Sequence, residues 1–229
     1  MKNFLREQLT IFLAKQYIEM NTKIVIHGPC RLDDGKNADL VRRAISFRRQ
    51  QNIVRAQYLE DMKQENIESR LQLDRRSTHF IATMNNRIIA CVRLTPAPFE
   101  MSLLNPTLQQ YQAQRYQGYF EFGRLCTDVN LTNKGEVAKY LLIKAGLWAM
   151  SAPRSRGLVG ICKENKVRFM QKFGLNPIER NLDIIGREGS YTLIGAEREQ
   201  IMDFFANIYV SPFINIGQSV SQALQWRMR

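Results

Sequence analysis

The chain has 229 residues, 45% hydrophobic and 24% charged, enough for one sizeable α/β core, and no window is long and apolar enough to read as a transmembrane span. Its 33 basic and 21 acidic residues leave a net charge of +12, which favours an acidic partner: nucleic acid, an anionic membrane face, a phosphorylated cofactor or an acidic protein. The cysteines Cys30, Cys91, Cys126 and Cys162 lie far apart with no CxxC pair, so neither structural zinc nor a disulfide framework is expected.

In chain order, residues 2–20 repeat Leu5, Leu9, Phe12, Leu13, Tyr17 and Met20 at helical spacing and predict a docking helix. Arg6, Glu7, Gln8 and Lys15 interrupt it, which argues against a signal peptide and for a cytoplasmic protein. A short strand over 23–27 is expected to close at Gly28 and Pro29. Asn37 or Asp39 can cap a helical region reaching about residue 73 as two helices, with basic residues crowded in "RRAISFRRQQNIVR". Two β-rich runs then flank Asn85-Asn86, a hairpin turn because asparagine tolerates positive φ, and the second run ends at Pro96. A Pro- and Gln-rich loop over 97–118 leads to the strand "YFEFGRLCTD". A helix follows, with Val137, Tyr140, Leu141, Ala145 and Trp148 on one face. Next come the apolar strand "RGLVGIC", a helix stopped by Gly174, and a hairpin of "NPIERNLDII" with "SYTLIGA". The expected organisation is an N-terminal helix and strand over 1–36, a core over 37–195 and a helical extension over 196–229, in a mixed sheet with helices on both faces. The end of the extension, with Trp226, Arg227 and Arg229, offers a peripheral membrane contact, though packing on the domain is the simpler use.

The strand at 119–128 places Glu121, Gly123 and Arg124 in an otherwise apolar run. Regular alternation would put Glu121 and Gly123 on one face and Arg124 on the other. A β-bulge at Phe122-Gly123 would bring Glu121 and Arg124 to the same side, splay the strand from its neighbour and free backbone N–H groups. Free N–H groups can hold the oxygen of a reacting acyl carbonyl while a carboxylate takes the proton of an attacking amine. The bland alternative is a structural Glu121–Arg124 pair at a sheet edge.

The order of elements over 37–195, with the segment "NKVRFMQKFGLNPIE", resembles the GNAT acyltransferase fold, which implies a splayed central strand pair. Two departures stand out: "TNKGEV" keeps only Gly135 of the family's phosphate loop, and Met170 stands where a general-acid tyrosine is common. Both point to the branch of acyl-homoserine-lactone (autoinducer) synthases and long-chain N-acyl amino acid synthases. Arg43 and Phe47 match the branch's Arg-x-x-x-Phe, Asp74 its aspartate ahead of the hairpin, Arg93, Leu94 and Pro96 its R-L-x-P, and Glu121, Arg124 and Leu125 its E-x-x-R-[FL].

By that resemblance the protein is a bacterial N-acyltransferase that moves a fatty acyl group from acyl carrier protein to an amino acid or similar small amine. Glu121 is the general base and Arg124 organises the pocket. Arg43, Phe47, Asp74, Arg93 and Leu125 contact substrate, with the acceptor's carboxylate on Arg93 or Arg124, and Lys134 and Gly135 meet the acyl-pantetheine arm. No tightly bound cofactor is implied, because acyl carrier protein, or coenzyme A in its place, enters as a substrate. The basic residues Lys163, Lys166, Arg168 and Lys172 form the expected docking surface for the acidic carrier, with a plain solvated surface as the alternative.

Ile53 and Leu71 stand where the homoserine-lactone synthases have a tryptophan and an aspartate for S-adenosylmethionine, so the amino-acid side of the branch is preferred. The competing readings are a homoserine-lactone synthase with a diverged adenosyl site, a coenzyme A-dependent acetyltransferase, and a basic nucleic-acid-binding module. The last gives "RLTP" and "EFGRL" no role, and nucleic acid is not expected as a partner.

Overall fold

The computed structural model describes residues 24–55, 64–105, 108, 115–185 and 187–209, so the predicted helix over 2–20 and the tail beyond 209 lie outside the described residues. Among the described residues seven strands form one mixed sheet: β1 (Val25–Cys30), β2 (Thr78–Met84), β3 (Arg87–Pro96), β4 (Tyr119–Thr127), β5 (Gly157–Lys163), β6 (Asn176–Leu182) and β7 (Tyr191–Glu197), in the spatial order β1-β2-β3-β4-β5-β7-β6. Every neighbouring pair is antiparallel except β4 with β5. The helices are α1 (Ala38–Val54), α2 (Gln64–Arg76), α3 (Met101–Leu104), α4 (Lys134–Ser151), α5 (Val167–Gln171) and α6 (Arg198–Tyr209). This is the expected α/β architecture, a mixed sheet with helices on both faces.

Each face has its own apolar filling. Phe80, Val92, Leu94, Phe122, Leu158 and Ile194 are buried with Val137, Leu141 and Ala145 of α4 and Ile201 and Phe205 of α6. On the opposite face Ile81, Cys91 and Cys126 meet Val41, Ala44, Ile45 and Phe47 of α1. Beside them Val159, Tyr191 and Leu193 lie under Phe99, Met101 and Leu104. Helix α4 is buried on most of its circumference rather than on a single stripe. The sheet takes one side of it, and α6 takes another, with the Phe205 ring 3.3 Å from where a Cβ on Gly146 would stand.

Local chemistry explains the junctions. Asn85 and Asn86 both have positive φ, as a tight hairpin turn requires. Gly174 follows α5 at φ +77°, the left-handed conformation that ends a helix cheaply only when no Cβ is present. Asn37 occupies the cap position of α1, but its Nδ2 donates to Asp34 Oδ2 at 2.7 Å instead of its side chain capping the helix. The first strand does not close at Gly28-Pro29; it runs on to Cys30, its register with β2 shifting between His27 and Cys30 to pass the proline.

Candidate active site

Strands β4 and β5 are paired only over Tyr119–Glu121 against Gly157–Val159 and part beyond that point. On its other edge β4 stays with β3, but Arg93 stands opposite Gly123 while Cys91 stands opposite Cys126. Arg124 and Leu125 therefore share the space opposite Val92, which is a β-bulge two positions later than the expected Phe122-Gly123. Its left-handed residue is Arg124, at φ +57°, and not Gly123. The extra residue resets the alternation: Leu125 packs on the α4 side with the Phe122 cluster, while Cys126 returns to the α1 side. Glu121 and Arg124 thus converge on one face, as the bulge argument predicts.

What they converge on is the start of α3. The Glu121 carboxylate accepts hydrogen bonds from the Glu100 N–H at 2.5 Å and the Met101 N–H at 2.9 Å. Glu100 in turn receives three guanidiniums: Arg70 at 2.7 Å, Arg93 and Arg124. Arg93 continues the network to Asp74 at 2.8 Å, and Asp74 also binds Arg48 at 2.7 Å. Every group in this chain is buried or nearly so, with Arg93 1% and Asp74 2% exposed at the side chain.

The surroundings separate the carboxyls. Burial alone would favour the neutral acid in all three. At Asp74 the guanidiniums of Arg48 and Arg93 outweigh burial and hold the carboxyl far below its usual range. Arg124 and Arg93 do the same for Glu100. Among the described residues no guanidinium is bonded to Glu121; burial and then the negative charge of Glu100 push it up to about 7, against the opposing pull of Arg93 and the two backbone N–H groups. A carboxyl balanced near neutrality, at the point where β4 leaves β5, is a group that can take and return a proton. His79, whose Nε2 lies 3.0 Å from the Asp74 carbonyl oxygen, is pushed down to about 4 by burial and is neutral beside the network.

The structure brings together Glu121, Arg124, Arg93 and Asp74 of the residues singled out from sequence. Arg93 and Asp74 sit inside the wall, already paired, so a substrate carboxylate on Arg93 does not fit: the guanidinium is enclosed and committed to Asp74 and Glu100. Arg124 is likewise engaged with Glu100, through both Nε and Nη2. Arg43 lies elsewhere, on the exposed side of α1, donating to the Asn86 carbonyl oxygen at 2.9 Å. Phe47 is mostly buried in the α1 core and lines a shallow surface groove with Arg43, Gln50 and Arg87. Leu125 packs on the α4 side, and Lys134 and Gly135 are exposed in the first turn of α4. Lys163 is half-buried at the end of β5, with Lys166, Arg168 and Lys172 exposed just after it. Met170 is a core residue.

Three charged members were not foreseen: Arg48, Arg70 and Glu100. Arg48 had a signal, because it sits at helical spacing from Val41, Ala44 and Ile45 on the face of α1 that is otherwise apolar. Glu100 had none, lying in a proline-rich loop whose pattern does not mark it.

No protein-family model and no curated protein matches this chain. Among solved structures it is similar to FeeM, an N-acyl amino acid synthase from uncultured soil microbes, at 13% identity and a TM-score of 0.57 over 77% of this chain and 91% of that one. Weaker likenesses are to Arabidopsis thaliana NAA60 in complex with a bisubstrate analogue, at 15% identity and a TM-score of 0.48 over 76% and 97%. The AHL synthase LasI matches at 12% identity and a TM-score of 0.41 over 53% and 64%. With its mixed sheet parted between β4 and β5 and its helices on both faces, the chain has the fold of the GNAT acyltransferases.

Proposed function

We propose that the protein is an N-acyltransferase that uses Glu121 as general base, and the observation that carries this is the buried Glu121 carboxyl held near neutrality where β4 and β5 separate. The neutral amine attacks the thioester carbonyl carbon, a C–N bond forms and the C–S bond breaks. Glu121 receives the proton the amine sheds and can pass it to the departing thiolate, so the carboxyl ends the cycle as it began. Backbone N–H groups of β4 beyond Glu121, which have no partner strand on the β5 side among the described residues, are the donors available to the carbonyl oxygen as it becomes negative. Met170 is enclosed in the core, so no side chain at that position serves as a separate acid.

The finer assignment is acyl carrier protein as donor, docking on the basic surface of Lys163, Lys166, Arg168 and Lys172, with an amino acid as acceptor. It is supported by the single-glycine loop before α4 and by the charge of that surface. The test is mass spectrometry of products from the purified full chain given acyl carrier protein, or coenzyme A, loaded with medium- and long-chain acyl groups together with the common amino acids. N-acyl amino acids that form from the carrier protein and disappear with Glu121→Gln are expected. Product formed equally well by Glu121→Gln would rule out the base. Turnover with coenzyme A alone would overturn the donor, and acyl-homoserine lactone formed on adding S-adenosylmethionine would move the protein to the other side of its branch.

A further inference from the structure

Four buried or nearly buried guanidiniums, from Arg48, Arg70, Arg93 and Arg124, are paired with Asp74 and Glu100. A fifth, Arg76, ends α2 half-buried, and it donates to the Pro98 carbonyl oxygen, two residues before the Glu100 N–H that holds the Glu121 carboxylate. Among the described residues no carboxylate pairs with Arg76. Among the described residues five guanidiniums thus gather around Asp74, Glu100 and Glu121, and Arg76 is the one held by a backbone carbonyl rather than a carboxylate. The Arg93 Nε, buried in the same cluster, finds no acceptor among the described residues. Burial and the neighbouring Arg93 disfavour the charge on Arg76, while Glu121 supports it, so all three groups feel one another. Arg76 is only half-buried, so its guanidinium can be reached from solvent, and an anion joining it there would gain a charge-assisted partner.

We infer that Arg76 is the residue that binds the anionic group of the acceptor, a carboxylate, and so selects amino acids over simple amines; this rests on acyl transfer at Glu121. Arg93 and Arg124 cannot do this without abandoning Glu100, whereas Arg76 gives up only a backbone carbonyl. A guanidinium can grip a carboxylate with two parallel N–H bonds, which fixes the direction in which the rest of the acceptor points. Because the loop that anchors Arg76 also carries the two N–H groups on Glu121, an acceptor held there presents its amine toward the base.

The experiment compares kcat/KM for each accepted amino acid with that for its carboxamide, in the full wild-type chain, in Arg76→Gln and in Arg76→Lys, with the same acyl donor. Wild type should prefer the amino acid, and Arg76→Gln should lose roughly 10- to 100-fold of that preference, chiefly through KM, the size expected for one charge-assisted bidentate contact. Arg76→Lys should restore part of it. Equal falls for acid and amide would show a merely structural role and overturn the assignment, as would a wild-type enzyme indifferent to the carboxylate. Those results leave transfer itself intact. An absence of transfer to any amine in wild type and Glu121→Gln alike would instead remove the proposed function, and this inference with it.

Discussion

Replacing Glu121 by Gln should change how stability depends on pH, by an amount the site itself sets. The folded protein holds this carboxyl at about 7 against an ordinary 4.5, chiefly through burial and then through the charge of Glu100. A raised carboxyl favours its protonated form in the folded state. Its contribution is therefore fully present below about pH 4.5 and is lost as pH rises through about 7. The difference corresponds to about 3 kcal/mol once Glu121 is fully ionised. Other groups act in overlapping ranges. His79, pushed down to about 4 by burial, contributes above its ordinary 6.5 and loses that contribution as the solution becomes more acidic. Asp74 and Glu100, both held low by guanidiniums, contribute above the ordinary carboxyl range and lose it as pH falls. Those groups remain in the variant, so the difference between the two proteins isolates Glu121. Urea unfolding from about pH 5 to about pH 8 should show wild type losing about 2.5 kcal/mol relative to Glu121→Gln. An offset between the two proteins is expected at every pH, because the Gln amide cannot accept from both N–H groups; the slope carries the test. A difference that stays flat to about 0.5 kcal/mol across the range would show that Glu121 titrates as an ordinary carboxyl, and the base assignment would lose its support.

The same ionisation has a kinetic face: kcat/KM in wild type should rise with pH through about 7, opposite to the trend in stability, and Glu100→Gln should move that rise to lower pH by removing a like charge. A rise that does not move would mean Glu100 has no hold on the base. Gly160→Ala would set a Cβ 2.5 Å from the Phe122 carbonyl oxygen and 2.8 Å from its ring, so a loss of about 1–3 kcal/mol in urea unfolding is expected, and an unchanged midpoint would contradict this close approach. Arg93→Met should cost about 3–5 kcal/mol in the same assay, because among the described residues it leaves Asp74 with Arg48 and Glu100 with Arg70 and Arg124 within a buried network; a neutral result would show that Arg93 is not the link between them.

The fold could be read from local chemistry wherever a single residue dictates a backbone. Asn85-Asn86 and Gly174 announce their turns because few other residues tolerate those φ values, and the carboxylate and guanidinium in β4 announce a bulge because a regular strand could not place both usefully. Where tertiary contact decides, the sequence was less informative. It suggested an amphipathic α4, but α6 covers a flank that a lone amphipathic helix would leave in water. It suggested that Gly28-Pro29 ends β1, but an edge strand tolerates a residue that cannot donate. The site divides in the same way. Glu121, Arg124, Arg93 and Asp74 come from short patterns in successive elements, whereas Glu100 is defined only by the three arginines that the fold brings to it from α2, β3 and β4. An ion pair between distant segments leaves no periodicity in either.

The brevity of the β4–β5 pairing has a mechanical meaning. Strands β1 to β4 form one continuous antiparallel ladder, and β5 to β7 form another, with three residues of parallel pairing joining them within the sheet. Behind both, α4 runs as a shared spine whose buried side chains reach from Phe80 and Val92 on one ladder to Leu158 and Ile194 on the other. The two ladders are in effect stiff covers bound along one edge. A slender guest between them would have no β4–β5 hydrogen bond to break beyond Glu121 and Val159, where the two strands are no longer paired.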